Sequence, residues 1–231
     1  MVQSQLVADD VGRGAQARLA LLRAAVDVFG ECGVEAATTR GIAQRSGQNI
    51  AAIAYYFGGK EGLYLAVAEH IVELLAARVG TRLDEIESFL RSDAPSPERC
   101  LDHIKSLLAL GIATNQAMLP ATGIIVREQI HPTRAFSILY DGCLGRLQRL
   151  GAELVHTYLG PQTGSDESIV RFHALLGQSL AFRFARETVL RRAGWKEIGP
   201  AEEAVIRDAV TEHAELALRG LRRKARRKGE P

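Results

Sequence analysis

TTRGIAQRSGQNIAAIAYYFGGKEGLY, residues 38–64, is the stretch whose reading decides the fold. A hydroxyl at Thr38 or Thr39 can accept from an orphan N–H in the first turn of a helix, so either residue is a suitable cap. Ile42 and Ala43 give that helix an apolar face. Ser46-Gly47 then ends it, because glycine takes the positive φ that closes a helix. Asn49 can cap a second helix, in which Ile53, Tyr56 and Phe57 fall on one side at helical spacing. Two helices joined by so short a turn form a hairpin of the kind that reads DNA.

Composition sets the frame around this hairpin. The chain has 231 residues and 47% hydrophobic residues, enough for a sizeable core. Its net charge of +2 gives no hint of nucleic acid. The local balance does: between Val11 and Lys60 stand six basic residues (Arg13, Arg18, Arg23, Arg40, Arg45, Lys60) and three acids (Asp27, Glu31, Glu35). A modest positive field on a small domain suits phosphate contact. Cys32, Cys100 and Cys143 are too far apart for a zinc cluster or disulfide framework, and read as reduced, mostly buried thiols. No signal pattern opens the chain and no stretch of about 18 apolar residues occurs, which predicts a cytoplasmic protein that avoids membranes.

Prolines divide the remainder into helical segments. Leu63, Val67, Ile71, Leu74 and Leu75 form one apolar stripe that can run on through Leu83 and Ile86. Ile104, Leu107, Leu108 and Gly111 form another. Pro120 suits a first helical turn ahead of Ile124 and Ile125. A segment over 133–158 carries Phe136, Leu139, Leu144, Leu147, Leu150 and Leu154, and one over 165–190 carries Phe172, Leu175, Leu176 and Leu180. The latter closes with Arg191, Arg192 and Gly194. A last helix is predicted over 200–219. With an opening helix over about 18–30, these patterns predict an all-α chain of nine helices.

The blocks AAVDVFGECGVEAATTRGIA (24–43) and SGQNIAAIAYYFGGKEGLY (46–64) resemble the DNA-binding domain of the TetR family of regulators. REQIHPTRAFSILY (127–140) and GQSLAFRFARETVLRRAGW (177–195) resemble the C-terminal domain of its CecR-like branch. The resemblance implies a homodimeric regulator that binds double-stranded DNA, by default a repressor, released by a small-molecule effector. It implies an N-terminal arm and helix-turn-helix domain over 1–59, and a helical ligand-binding and dimerisation domain over 60–219. The dimer is expected from the last two long helices. Residues 220–231 form a basic tail, with seven Lys or Arg among 219–228. Such a tail contacts DNA or is simply a solvated end. The rival reading is a DNA-bound architectural or adapter protein with the same fold and no inducer.

Thr39, Arg40, Gln48, Asn49, Ile50, Ala51, Ala52, Tyr55 and Lys60 are the predicted DNA-contacting residues. Lys60 opens a helix where the macrodipole disfavours a cation by about 0.3–1 kcal/mol. There it can reinforce the free N–H groups that a helix N-terminus offers to phosphate. Tyr55 is expected to face DNA and Tyr56 to pack at least in part. Ile50, Ala51 and Ala52 face the groove yet carry no donor or acceptor, so they can touch only thymine methyls or permit close approach. The family often has tyrosine where this chain has Ala54, which removes one phosphate contact. Hydrogen-bonded readout falls to Arg40, with Gln48 and Asn49 as further candidates.

In the second half, Arg127, Glu128 and His131 sit near one helix end, and His173, Gln178, Arg183 and Arg186 lie along another. Polar groups within apolar helices need an internal partner or a ligand. The candidates are therefore an effector site or an interhelical salt-bridge network, including an Arg183–Glu187 pair. No histidine spacing suggests a metal, and no cofactor is expected. P-loops, nucleophile elbows and dinucleotide turns are missing, so the reading is not an enzyme.

Arg40→Ala should relax preference at one symmetric base pair of the bound site and cost about 1–3 kcal/mol in affinity. Selection of bound sequences with the variant checks this. Unchanged affinity and preference would remove Arg40 from base reading.

Overall fold

A computed structural model describes the backbone of residues 2–112 and 118–229 and the side chains of 14–112 and 118–225. The described residues are all-helical, with no strand. In chain order the helices are α1 (Val2–Ala36), α2 (Thr39–Ser46), α3 (Ala51–Phe57), α4 (Lys60–Leu90), α5 (Pro97–Ile112), α6 (Leu119–Ile130) and α7 (Arg134–Leu139). A π-helical turn (Tyr140–Leu144) follows, then α8 (Gly145–Leu159), α9 (Ser165–Phe184), α10 (Arg186–Ala193) and α11 (Pro200–Gly229).

Two of the nine expected helices are each divided. The segment over 133–158 breaks at the π turn, where Gly142 lies so close to α4 that a Cβ would stand 2.6 Å from Val72 Cγ1. The segment over 165–190 breaks at Ala185, whose φ of −102° and ψ of 27° leave helical geometry. The ends are governed by the expected local chemistry: Pro120 in the first turn of α6, Pro200 opening α11, and Gly194 at φ 71° after α10. The opening helix is longer than 18–30, running from Val2 to Ala36 with non-helical Gly33 (φ 79°, ψ 168°) inside it. That combination is essentially open to glycine alone. The last helix also continues past Arg219 into the basic tail.

The chain packs as two compact units: Met1–Ala76 with Gln116–Cys143, and Ala77–Asn115 with Leu144–Pro231. In the first, α1, α2, α3, the start of α4 and α6 enclose Leu21, Phe29, Ile42, Ile53, Leu63, Ile71 and Ile124, all nearly inaccessible. In the second, α5, α8, α9 and α11 surround Ile104, Leu108, Leu150, Leu154, Phe172 and Val210. Cys100 and Cys143 are buried, Cys32 is exposed, and none of the three forms a disulfide.

The crossing of α1 and α6 is exceptionally close. A Cβ on Gly30 would fall 2.6 Å from the Pro120 backbone, and one on Gly123 would fall 3.1 Å from Gly30 O. A side chain at Gly30 would force the helices apart, and one at Gly123 would need its neighbour to give by a few tenths of an ångström. Gly80, in α4, faces open space instead. Gly30→Ala should therefore lower stability by about 1–3 kcal/mol. Gly80→Ala should raise it by about 0.8–1 kcal/mol through helix propensity. Urea unfolding of the two variants checks the contrast, and equal effects would contradict the close crossing.

Candidate nucleic-acid interface

The hairpin is built from its caps inward. Thr38, with extended backbone, accepts at Oγ1 from Gly41 N at 3.0 Å. Gly47 takes φ 68°, and Gly47 N and Gln48 N donate back to Gln44 O and Ala43 O at 3.2 and 3.0 Å. This is the paired closure that satisfies the last carbonyls of a helix. Two residues on, Asn49 Oδ1 accepts from Ala51 N at 2.9 Å and sets the start of α3. Gly58, at φ 71°, ends α3, and Gly59, at φ 117°, leads directly into α4.

Packing then decides which face of α3 looks outward. Ile53 is buried, and Tyr56 and Phe57 are half-buried. Arg18 of α1 lies over the Phe57 ring, 5.2 Å from its centroid. The opposite face carries Ile50, Ala51, Ala54 and Tyr55, all exposed, with Tyr55 at 82% accessibility. Tyr55 and Tyr56 meet edge to face at 4.9 Å. Ala52 and Gln48 are half-buried and Asn49 is exposed, so the turn and one side of α3 form a continuous outer surface. The surface is poor in hydrogen-bonding side chains, as the sequence predicts.

Cations flank this surface unequally. Arg40, in the first turn of α2, is exposed and forms no ion pair with a described residue. Thr39 beside it is half-buried. Arg45 is held by Glu31 through two hydrogen bonds of 2.8 and 2.7 Å, with Asp27 at 4.0 Å. The Arg45 hydrogen bonds hold the Glu31 carboxyl below the usual carboxylate range. Arg45 therefore adds little to the local positive field. Lys60, at the start of α4, donates from Nζ to Glu35 O near the end of α1 at 3.2 Å.

Behind the hairpin lies a polar arrangement that sequence reasoning missed. Gly33 turns the chain out of α1 and strands its preceding carbonyls. Arg127, one turn beyond Gly123 on α6, donates to Phe29 O (2.7 Å), Gly30 O (3.1 Å) and Glu31 O (3.2 Å). A cation at the negative end of a helix dipole is also favourable electrostatically. Next to it, Glu128 is 2% accessible. It accepts from Tyr64 Oη at 2.7 Å, Thr133 N at 2.9 Å and Thr133 Oγ1 at 3.0 Å. Burial and the Glu128 hydrogen bond push the Tyr64 phenol well above its ordinary range. Of the three candidate effector contacts here, Arg127 and Glu128 thus have internal partners and His131 is exposed. Tyr64 stood inside the deciding stretch, but nothing local marked it as a partner for a residue on α6.

His173, Gln178, Arg183 and Arg186 lie in the other compact unit. His173 and Gln178 are exposed, and His173 Nδ1 is 3.1 Å from Gln148 Nε2. Arg183 and Arg186 are half-buried. The break at Ala185 falls between Arg183 and Glu187, the pair expected along one helix, and Glu187 pairs with Arg191 at 2.8 Å. In the basic tail, Arg222 lies over the Tyr158 ring at 5.1 Å and 3.5 Å from Glu98. The side chains of Arg226, Arg227 and Lys228 lie outside the described residues. Among the described residues no cluster of His, Cys, Asp or Glu could hold a metal, and no helix is long and apolar enough to cross a membrane.

Comparison with known proteins gives a consistent answer. Residues 21–67 match the family model for bacterial regulatory proteins of the tetR family. Residues 97–221 match the C-terminal domain of the HTH-type transcriptional dual regulator CecR. The chain is 36% identical over 213 residues to the HTH-type transcriptional dual regulator CecR of Shigella flexneri, covering 90% of this chain and 94% of that one. It is 26% identical over 210 residues to the HTH-type transcriptional repressor NicS of Pseudomonas putida, with 88% and 91% covered. A crystal structure of a transcriptional regulator from Rhodococcus sp. Rha1 shares the fold at a TM-score of 0.59 and 19% identity, over 88% and 96% of the two chains.

Glu128→Ala strands the Tyr64 hydroxyl and the Thr133 amide, at about 1–3 kcal/mol for each buried group left unsatisfied. Thermal and urea unfolding should show that loss. A surface carboxylate variant such as Glu61→Ala should change stability by less than about 0.5 kcal/mol. Equal behaviour of the two would show that the buried network contributes nothing.

Proposed function

Since the chain belongs to the TetR family of bacterial regulatory proteins and carries a CecR-type C-terminal domain, we propose that this DNA-binding transcriptional regulator works as a homodimeric repressor on a palindromic operator, released by a small molecule. The observation that carries the DNA-binding part is the outward face of α3 and its turn, hydrogen-bond-poor but flanked by Arg40 and Lys60. In this reading Ile50, Ala51 and Ala52 lie against base edges, Gln48 and Asn49 are further candidates for base contact, and Thr39 and Tyr55 face the backbone. Arg40 supplies the directional contact to a base. Lys60 and the N-terminus of α4 hold a phosphate. The working division is a DNA-binding domain over 1–59 and a sensing and dimerisation domain over 60–219.

Dimerisation is supported by the outer faces of the two long C-terminal helices. On α9, Ile169, Val170 and Phe184 are exposed at 49, 67 and 55%, with small residues Ala174, Gly177 and Ala181 between them. On α11, Val205 and Leu216 are exposed at 59 and 62%. Aligned apolar stripes of this kind suit a two-fold contact, in which the same patch serves both protomers. His173 and Gln178 share that face of α9 and fall in the subunit contact on this reading. A ligand would act by favouring a dimer whose hairpins no longer match successive major grooves.

Selection of bound fragments from genomic DNA tests this reading. Recovery of an inverted repeat with half-sites about 34–36 Å apart, occupied by two protomers, is the expected outcome. Recovery of asymmetric sites occupied by a single protomer would contradict it.

A further inference from the structure

Three aromatic rings run in a row from the outer face of α3 to its end. The exposed Tyr55 meets Tyr56 edge to face at 4.9 Å, and Tyr56 meets Phe57 edge to face at 6.2 Å. Arg18 of α1 closes the row, its guanidinium carbon 5.2 Å from the centroid of the Phe57 ring. Gly14 and Arg18, four residues apart, share one face of α1. That face meets the end of α3, since a Cβ on Gly14 would stand 3.3 Å from Tyr56 Oη. From Phe57 the chain passes to Lys60 through Gly58 and Gly59, where an added Cβ would meet nothing within 4 Å.

The charge of Arg18 is not cancelled. The residue is exposed and forms no ion pair with a described residue. Arg45, on the same small domain, is held by Glu31 in two hydrogen bonds. An aromatic ring attracts a cation through its quadrupole without neutralising it. A guanidinium held in this way keeps its five N–H donors for an oxygen acceptor. The ring also limits where the side chain can go, so less rotamer freedom is lost when an anion binds.

We propose that Arg18 is a DNA phosphate contact supplied by α1, on the Lys60 side of the outer surface of α3. The Phe57 ring positions the guanidinium, which pairs with a backbone phosphate next to the one held by Lys60 and the start of α4. A contact of this kind carries no base information; it adds affinity and fixes the register of the protein on the duplex. It also extends the interface to a helix outside the hairpin, at a position that precedes the matched residues 21–67. The proposal rests on the reading that the outer face of α3 meets DNA.

The test measures binding of the full-length protein to two duplexes over a series of salt concentrations. One duplex carries the recovered inverted repeat, and the other is a scrambled sequence of equal length. Arg18→Met is compared with Arg18→Lys and with Arg23→Met, which removes an exposed cation about 140° round α1 from Arg18. Arg18→Met should weaken binding to both duplexes by a similar factor, roughly tenfold at about 0.1 M salt. It should also reduce the slope of log affinity against log salt by about 0.9 for each protomer bound. Arg18→Lys should keep the slope and lose less affinity, and Arg23→Met should keep both. An unchanged slope in folded Arg18→Met would overturn the contact, because a purely structural role shifts thermal stability and not the salt slope. So would an equal fall in slope for Arg23→Met, which would mark a general effect of charge. Arg40→Ala and Lys60→Ala are measured alongside. If they weaken binding and Arg18→Met does not, the Arg18 contact alone fails. If none of the three weakens binding, the outer face of α3 is not the DNA-binding surface, and the contact fails with it.

Discussion

A helix must find donors for its last carbonyls, and α1 meets this constraint through one side chain from a distant part of the chain. Gly33 leaves helical geometry, and the carbonyls of Phe29, Gly30 and Glu31 are taken by Arg127. Gly30 and Gly123 let α1 and α6 approach closely, and at Gly30 a Cβ would stand 2.6 Å from the Pro120 backbone. Glu128 completes the arrangement by binding Tyr64 of α4 and the cap of α7. The helix supporting the hairpin is thereby tied to α6 and α4 through directional bonds as well as apolar packing. Directional bonds fix orientation in a way that dispersion alone does not.

The hairpin on this support is unusual in how it divides its work. Its geometry is set by local caps at Thr38, Gly47, Asn49 and Gly58. Its recognition helix presents alanines, an isoleucine and one tyrosine. The polar groups able to meet DNA stand before and after that helix, at Arg40 and Lys60. Arg45 is placed nearby but neutralised by Glu31. On the proposed reading, electrostatic attraction is concentrated at two edges of the surface and the middle contributes shape.

What could be read in the sequence was the chemistry that acts over a few residues. Caps, helix-opening prolines and glycine closures are short-range, so the bounds of α2, the start of α6 and the end of α10 follow from them. The break at Ala185 has no proline or glycine to announce it, and the π turn at 140–144 follows from how closely Gly142 meets Val72. Arg127 and Glu128 were legible as polar groups needing partners within apolar helices. Their partners lie on α1, α4 and α7. For Arg127 they are backbone carbonyls nearly a hundred positions away, which no pattern within α6 can specify.

Hydrogen exchange on the full-length protein, with and without the operator duplex, tests the central claim most directly. Amides over residues 38–60 should slow on DNA binding, most strongly around the turn at 47–51 and the start of α4, while α11 stays unchanged. Protection centred on the basic end of α11, with none over 38–60, would contradict the account.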